Sequence, residues 1–265
     1  MDRPILEQAW EQFEQVVIQG SLSDQEIRVL VKTLTPEEAI GNPRRRDFPI
    51  ILGKERVIEA EFAGARAHVF TDSPKEFIGR IADVVSLPLD SNGNRAIFVG
   101  VLNAVLRYLG MIEKTLHCRD EEPEQCANEI AAFLKCNHHN ATVGLVGLNP
   151  AIAESLAKGF GVANVKITDL NPDNVGKSKY VVEIWDGRRR TEDLVEESDV
   201  VLLTGTTLVN GTFDALWGRD PAAREGIPDL WRHCRRYIRV YRTKPYLPLW
   251  AGIRRRLEEK YVLQI

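Results

Sequence analysis

Six side chains able to bind a soft metal ion fall within 23 residues: His117, Cys118, Cys126, Cys136, His138 and His139. Imidazole and thiolate together suit zinc, copper or another soft ion. The spacing matches no closed zinc site, because there is no CxxC pair and no histidine four residues from another ligand. His117 and Cys118 are adjacent, and an extended chain would point them to opposite faces, so they share one ion only across a turn. Cys126 lies on an apolar helical face, where a small core residue fits. His138 and His139 follow that helix, where a cation complements the helix dipole. The expectation is an open or transient metal site at His117 and Cys118, with Asp120 or Asp72 as an oxygen donor.

A second group lies in the stretch from 144 to 212. Gly144-Leu-Val-Gly147-Leu-Asn149-Pro150 joins an apolar strand to a helix start, where backbone N–H groups favour an anion. Asp169 follows Gly147 by 22 residues, at the end of the next strand. Dinucleotide folds place there the acid that bonds a ribose hydroxyl. The three-glycine spacing of that fingerprint is missing, so the dinucleotide signal is weak and a structural tight turn is the leading explanation of the glycines. Thr204, Gly205 and Thr206 end a third strand, and Asn210 follows shortly after. With Asn171 they supply hydroxyls and amides at a sheet rim, or simply turn chemistry. In an enzymatic reading His117 is the general acid or base, and Asp72 or Asn103 orients the substrate. Glu59 and Glu61 share one strand face, which suits either paired carboxylates or a solvated surface.

The elements that must position these residues change character along the chain. Residues 5–19 place Leu6, Ala9, Trp10, Phe13, Val16 and Val17 on one helical face, closed by Gly20. A helical or mixed stretch is expected from Asp24 to Leu34. Alternation around Val57–Phe62, then Ala63-Gly64 and AHVF, predicts a hairpin. A helix is expected at about 75–86, after Thr71-Asp72-Ser73-Pro74, and an apolar helix ends at Gly110. From Pro123 onward, helices alternate with short apolar strands (TVGLVGL, VKITDL, DVVLLTG), which predicts a parallel sheet with crossover helices. The expected architecture is an α+β domain over 1–115 and an α/β domain over 116–265.

Composition sets the outer limits. The 265 residues are 44% hydrophobic and 28% charged, an ordinary globular balance. No apolar run reaches the length of a membrane span, and the opening residues lack the basic-then-apolar form of a signal peptide. Four cysteines are too few for a disulfide scaffold, so a reducing cytoplasm is the expected location. The formal charge of −3 hides a basic stretch, Arg219–Lys260, that carries +7 against −10 elsewhere. An arginine-rich solvated edge is the leading account of it; the alternative is a contact surface for a nucleic acid or another anionic partner, although no nucleic-acid motif accompanies it.

In order, AIGNPRRRDFPIILGKERVIEAEF, HVFTDSP, RAIFVGVLNAVLRYLG, TLHCRDEEPEQCANEIAAFL, VGLVGLNPAIAESLA, ITDLNPDNVGK and SDVVLLTGTTLVNGT resemble one family. It is the domain-of-unknown-function family named putative heavy-metal chelation. The resemblance runs from about Ala39 to Thr212, and the residues after about Leu216 depart from it. It implies an enolase-amino-terminal-like α+β domain, a Rossmann-like three-layer α/β domain, and a site in the cleft between them. Carried onto this chain, it points to Thr71, Asp72, Asn103, Thr115, His117, Cys118 and Asp120. In the second half it points to Asp169, Asn171, Thr204, Gly205, Thr206 and Asn210. The implied function is chelation of a soft divalent metal ion or metal complex. The alternative is a transferase-like enzyme using a nucleoside-bearing or phosphorylated cofactor, with Gly147, Asn149 and Asp169 in its binding site.

Overall fold

The structure is a computed structural model that describes residues 4–22, 28–217 and, for the backbone, 261–264. It is a mixed α/β protein with two sheets, and the chain divides into two compact units. Among the described residues, the first unit holds everything up to Arg119 together with Leu208–Phe213. The second holds Asp120–Thr207 with 214–217 and 261–264. The basic stretch Arg219–Lys260 lies outside the described residues.

The first unit opens with helix α1 (Ile5–Gln19), which buries Leu6, Ala9, Phe13 and Val17 at helical spacing. Its sheet has the order β3-β2-β1-β4, all antiparallel, from β1 (Val29–Leu34), β2 (Arg56–Phe62), β3 (Ala65–Thr71) and β4 (Phe77–Gly79). The expected hairpin is β2–β3. Ala63 and Gly64 both take positive φ (50° and 81°), the conformation that a two-residue turn between twisted strands requires.

Two local expectations are corrected. The second half of the Asp24–Leu34 stretch is strand β1, because Val29 and Val31 face the core while both backbone edges pair, with β2 and β4; residues 23–27 lie outside the described residues. In the 75–86 stretch, Phe77–Gly79 pair with β1, and only the short helix α3 (Ile81–Val85) remains. Sheet pairing overrides local helix propensity at both places.

Helix α4 (Asn92–Tyr108) covers one face of this sheet, and residues 96–106 along it are all buried. A Cβ at Gly100 would lie 3.1 Å from the Cβ of Ala60, so glycine allows the close approach of helix to sheet. Phe98 meets Phe13 edge to face at 5.8 Å, which joins α1 to the same core. The opposite face carries Leu34 and Val57 beside the polar Lys32, Glu59 and His68, with a short helix α2 (Pro36–Ile40) and residues Leu116 and Arg119 bordering it.

The second unit begins with α5 (Glu122–Asn137) and alternates strands and helices: β5 (Val143–Val146), α6 (Pro150–Phe160), β6 (Val165–Asp169), β7 (Ser178–Lys179), β8 (Val182–Asp186), α7 (Gly187–Glu196) and β9 (Val200–Thr204). Helices α8 (Thr206–Val209) and α9 (Phe213–Trp217) follow, then β10 (Tyr261–Gln264). The sheet order is β10-β9-β5-β6-β8-β7; every neighbouring pair is parallel except β7–β8. All four residues of β5 are buried, as expected of a central strand covered on both faces. Among the described residues no helix is long and apolar enough to cross a membrane.

Candidate functional site

On the face of the first sheet turned away from α4, three strands place a row of ionisable side chains side by side. Register pairs Lys32 of β1 with Glu59 of β2, and Glu59 with His68 of β3. Glu59, expected on a paired-carboxylate or solvated face, is buried, with a side chain only 7% exposed. Its carboxylate lies 3.2 Å from His68 Nε2 and 3.5 Å from both Lys32 Nζ and Arg66 Nη1. A buried carboxylate needs such partners.

The backbone N–H of His117 donates to His68 Nδ1 at 3.3 Å. Nδ1 is therefore the acceptor, the proton sits on Nε2, and Nε2–H donates to Glu59. Burial removes water from the ring and pushes the His68 pKa below its ordinary value, against the opposing pull of the Glu59 hydrogen bond. The neutral tautomer suits both contacts.

The segment that carries His117 and Cys118 is fixed along the outer edge of β3. His68 N–H donates to the Thr115 carbonyl at 2.8 Å, and the Thr115 hydroxyl donates to the Arg66 carbonyl at 2.6 Å. The His117 ring meets Phe70 edge-on at 4.8 Å. Arg119 donates from its two Nη atoms to the carbonyls of Glu38 and Glu37, each at 3.1 Å, which holds the far end of the segment against α2.

Between these anchors, His117 Nδ1 donates to the Cys118 carbonyl at 2.7 Å, since a carbonyl can only accept. Nδ1 of the imidazole thereby carries a proton. Cys118 is half-buried and not in a disulfide. Asp120 is exposed, takes a left-handed backbone (φ 53°) and opens the second unit.

A cavity of about 370 Å³ lies over this row, and Leu116 and Arg119 form part of its wall. Among the described residues no group of three or more His, Cys, Asp and Glu side chains is arranged to hold a metal ion. A closed structural zinc site is therefore not formed among the described residues.

The remaining residues picked out in the first unit have other local roles. Asp72, exposed at the end of β3, accepts from Asn92 Nδ2 at 2.9 and 3.1 Å and from the Ser73 hydroxyl at 2.9 Å. It thus ties the strand end to the first turn of α4. Thr71 is buried and its hydroxyl accepts from Ser73 N–H. Asn103 is buried within α4. The Asn210 side chain closes a local turn, accepting from Thr212 N–H at 3.0 Å and from the Thr212 hydroxyl at 2.7 Å.

In the second unit the ends of β5, β6 and β9 bring Gly147, Asp169 and Thr204 to one edge of the sheet. Gly147 has φ 87°, its N–H donates to the Thr168 carbonyl, and a Cβ there would lie 2.6 Å from Thr204 Oγ1. Asn149 caps α6 by accepting from the N–H groups of Ala151 and Ile152, two of the groups an anion would use. The Asp169 carboxylate accepts from Leu148 N–H at 2.7 Å, Asn171 N–H at 2.6 Å and Asn174 Nδ2 at 3.4 Å. A ribose diol would compete with those bonds.

Asn171 accepts from Asp173 N–H in an Asx turn, and Thr204 and Thr206 share a hydroxyl contact of 2.7 Å flanking Gly205. Cys126 is half-buried on α5, Cys136 is exposed near its end, and His138 is the residue after its last turn. His139 is exposed.

Sequence reading passed over His68 and Lys32. The signal was available: a two-residue turn at Ala63-Gly64 pairs residues whose numbers sum to a constant, which sets Glu59 opposite His68.

Residues 133–227 match the family described as putative heavy-metal chelation, DUF364. The match begins downstream of much of the resembling sequence and continues past Leu216, where departure was expected. No curated protein matches the chain. Among solved structures, a protein of unknown function from the same family in Desulfitobacterium hafniense is 16% identical. That alignment covers 63% of this chain and has a TM-score of 0.41. It spans 65% of the Desulfitobacterium protein, just under two thirds of its length. A second protein of unknown function from that family, from Pyrococcus horikoshii, is 12% identical over 79% of this chain and 74% of its own, with a TM-score of 0.35.

Proposed function

We propose, from the match of residues 133–227 to the family described as putative heavy-metal chelation, that this chain takes up a soft heavy-metal ion or small metal complex through His117 and Cys118, which lie just upstream of the matched span. The observation that carries the reading is the His117 tautomer. Its Nδ1–H is committed to the Cys118 carbonyl, so a metal bond from this ring would be made through Nε2. The thiol of the next residue supplies a soft donor, and the thiolate is the form that binds, so uptake at neutral pH releases a proton.

Two protein donors hold an ion loosely and leave coordination positions to solvent or a carrier. That suits transfer of a cargo metal better than storage of a structural one. The Thr115 and Arg119 anchors orient the two donors, and His68 fixes the backbone between them. We read the first unit as the enolase-amino-terminal-like half of the family architecture and the second as its Rossmann-like half.

The test is a thermal-shift series on metal-free, reduced protein with soft and hard divalent ions. An ion at 100 times its dissociation constant adds about 2.7 kcal/mol of stability. The expected result is a shift with soft ions alone, lost in both Cys118→Ser and His117→Ala. Retention of the full shift in both variants would overturn the assignment.

A further inference from the structure

The cavity over the first sheet has a chemistry of its own, separate from the metal reading. We infer that it binds a small organic acid, with a single acid group held by Lys32 and Arg66 and an apolar body against Leu34 and Leu116. All four side chains line the cavity, and Glu59 and His68 also border it. Lys32 and Arg66 stand 3.5 Å from the Glu59 carboxylate. Charge-assisted N–H···O contacts close to about 2.7–2.9 Å when fully made, so neither cation is locked to Glu59. Their side chains are 47% and 52% exposed, whereas that of Glu59 is 7% exposed. Both cations therefore have N–H groups left for a ligand while they stay beside Glu59, which also keeps its hydrogen bond from His68.

Size and charge narrow the ligand further. About 370 Å³ lies at the small end of ligand pockets, which run from about 300 to 1,000 Å³. Arg119 adds a third cation to the wall, and Glu37 and Glu38 add two acids to Glu59, so the formal charges cancel. The Glu38 carboxyl is held below its ordinary pKa by its capping bonds to Thr35 and stays ionised at neutral pH. A polyanion would meet three carboxylates there. A single acid group meets two mobile cations, and the leucines take the hydrocarbon.

The experiment is calorimetric titration of the metal-free full-length chain, at low ionic strength so that screening does not mask the contacts. The probes are 3-methylbutanoate, its neutral amide and citrate. The monoacid should bind saturably at one site, and the amide roughly tenfold or more weakly, the cost of losing a charge-assisted contact. Arg66→Gln and Lys32→Gln should each weaken the acid by roughly tenfold, with thermal melting as the folding control. If one variant fails to fold, the other carries the comparison. Cys118→Ser should leave acid binding unchanged, which separates this site from the metal donors. Equal binding of acid and amide, tighter binding of citrate, indifference to both cation variants or absence of saturation would each overturn the inference.

Discussion

Asp169→Ala separates a structural carboxylate from a ligand-binding one. The wild-type side chain accepts two short bonds from the N–H groups of Leu148 and Asn171 and a long one from Asn174. A hydrogen bond to a charged group contributes about 1.5–3 kcal/mol, and the lower end applies to a half-exposed carboxylate screened by water. Two short bonds then amount to about 3 kcal/mol, with little added by the third. At roughly 2–4 °C per kcal/mol for a chain of this size, the second unit should melt about 6–12 °C lower. Leu148 and Asn171 should also lose hydrogen-exchange protection ahead of the rest of the sheet. Urea denaturation supplies the free energy and exchange supplies the location. A loss below about 0.5 kcal/mol, the scatter of ordinary surface substitutions, with both amides still protected, would refute this role.

Two further outcomes follow from the same contacts. Gly147→Ala forces a side chain into a left-handed backbone and against Thr204 Oγ1, so denaturation should show a loss of about 1–3 kcal/mol. A loss near zero would mean that the turn relaxes freely. His68 is buried neutral with a lowered pKa, so its unfolded form takes up a proton first as pH falls. Stability should thus be full above about 6.5, the ordinary histidine value, and fall as pH drops from there toward the folded pKa. His68→Gln should flatten that part of the profile; an unchanged slope would place its origin elsewhere.

Much of the fold was legible because it rests on periodicity. The β2–β3 hairpin, α1, α4 and the strand–helix alternation after Pro123 each follow from apolar spacing and a turn or cap residue. Strands β1 and β4 were hidden because each draws its pairing from partners far away in sequence. Phe77–Gly79 become strand only by adding to β1.

At the site, His117 and Cys118 stood out by residue type. Their setting was only partly legible: the resemblance pointed to Thr115, but the bonds joining the Thr115, His68 and Arg119 side chains to backbone atoms of distant residues follow no sequence pattern. Glu59 illustrates the same limit. Alternation gave its face correctly, but its burial comes from Lys32, Arg66 and His68 closing over it. Asp169 was placed correctly at its strand end, yet its bonding to the Leu148 and Asn171 amides depends on the path of two loops.

The claim that His117 and Cys118 take up a soft metal is tested most directly on the imidazole itself. Nitrogen NMR of His117 in metal-free protein should find the proton on Nδ1. Stepwise addition of a soft divalent ion should then move the Nε2 resonance to saturation at one equivalent, and the movement should vanish in Cys118→Ser. A proton on Nε2, or an unmoved Nε2 resonance while the protein binds the ion, would contradict the account.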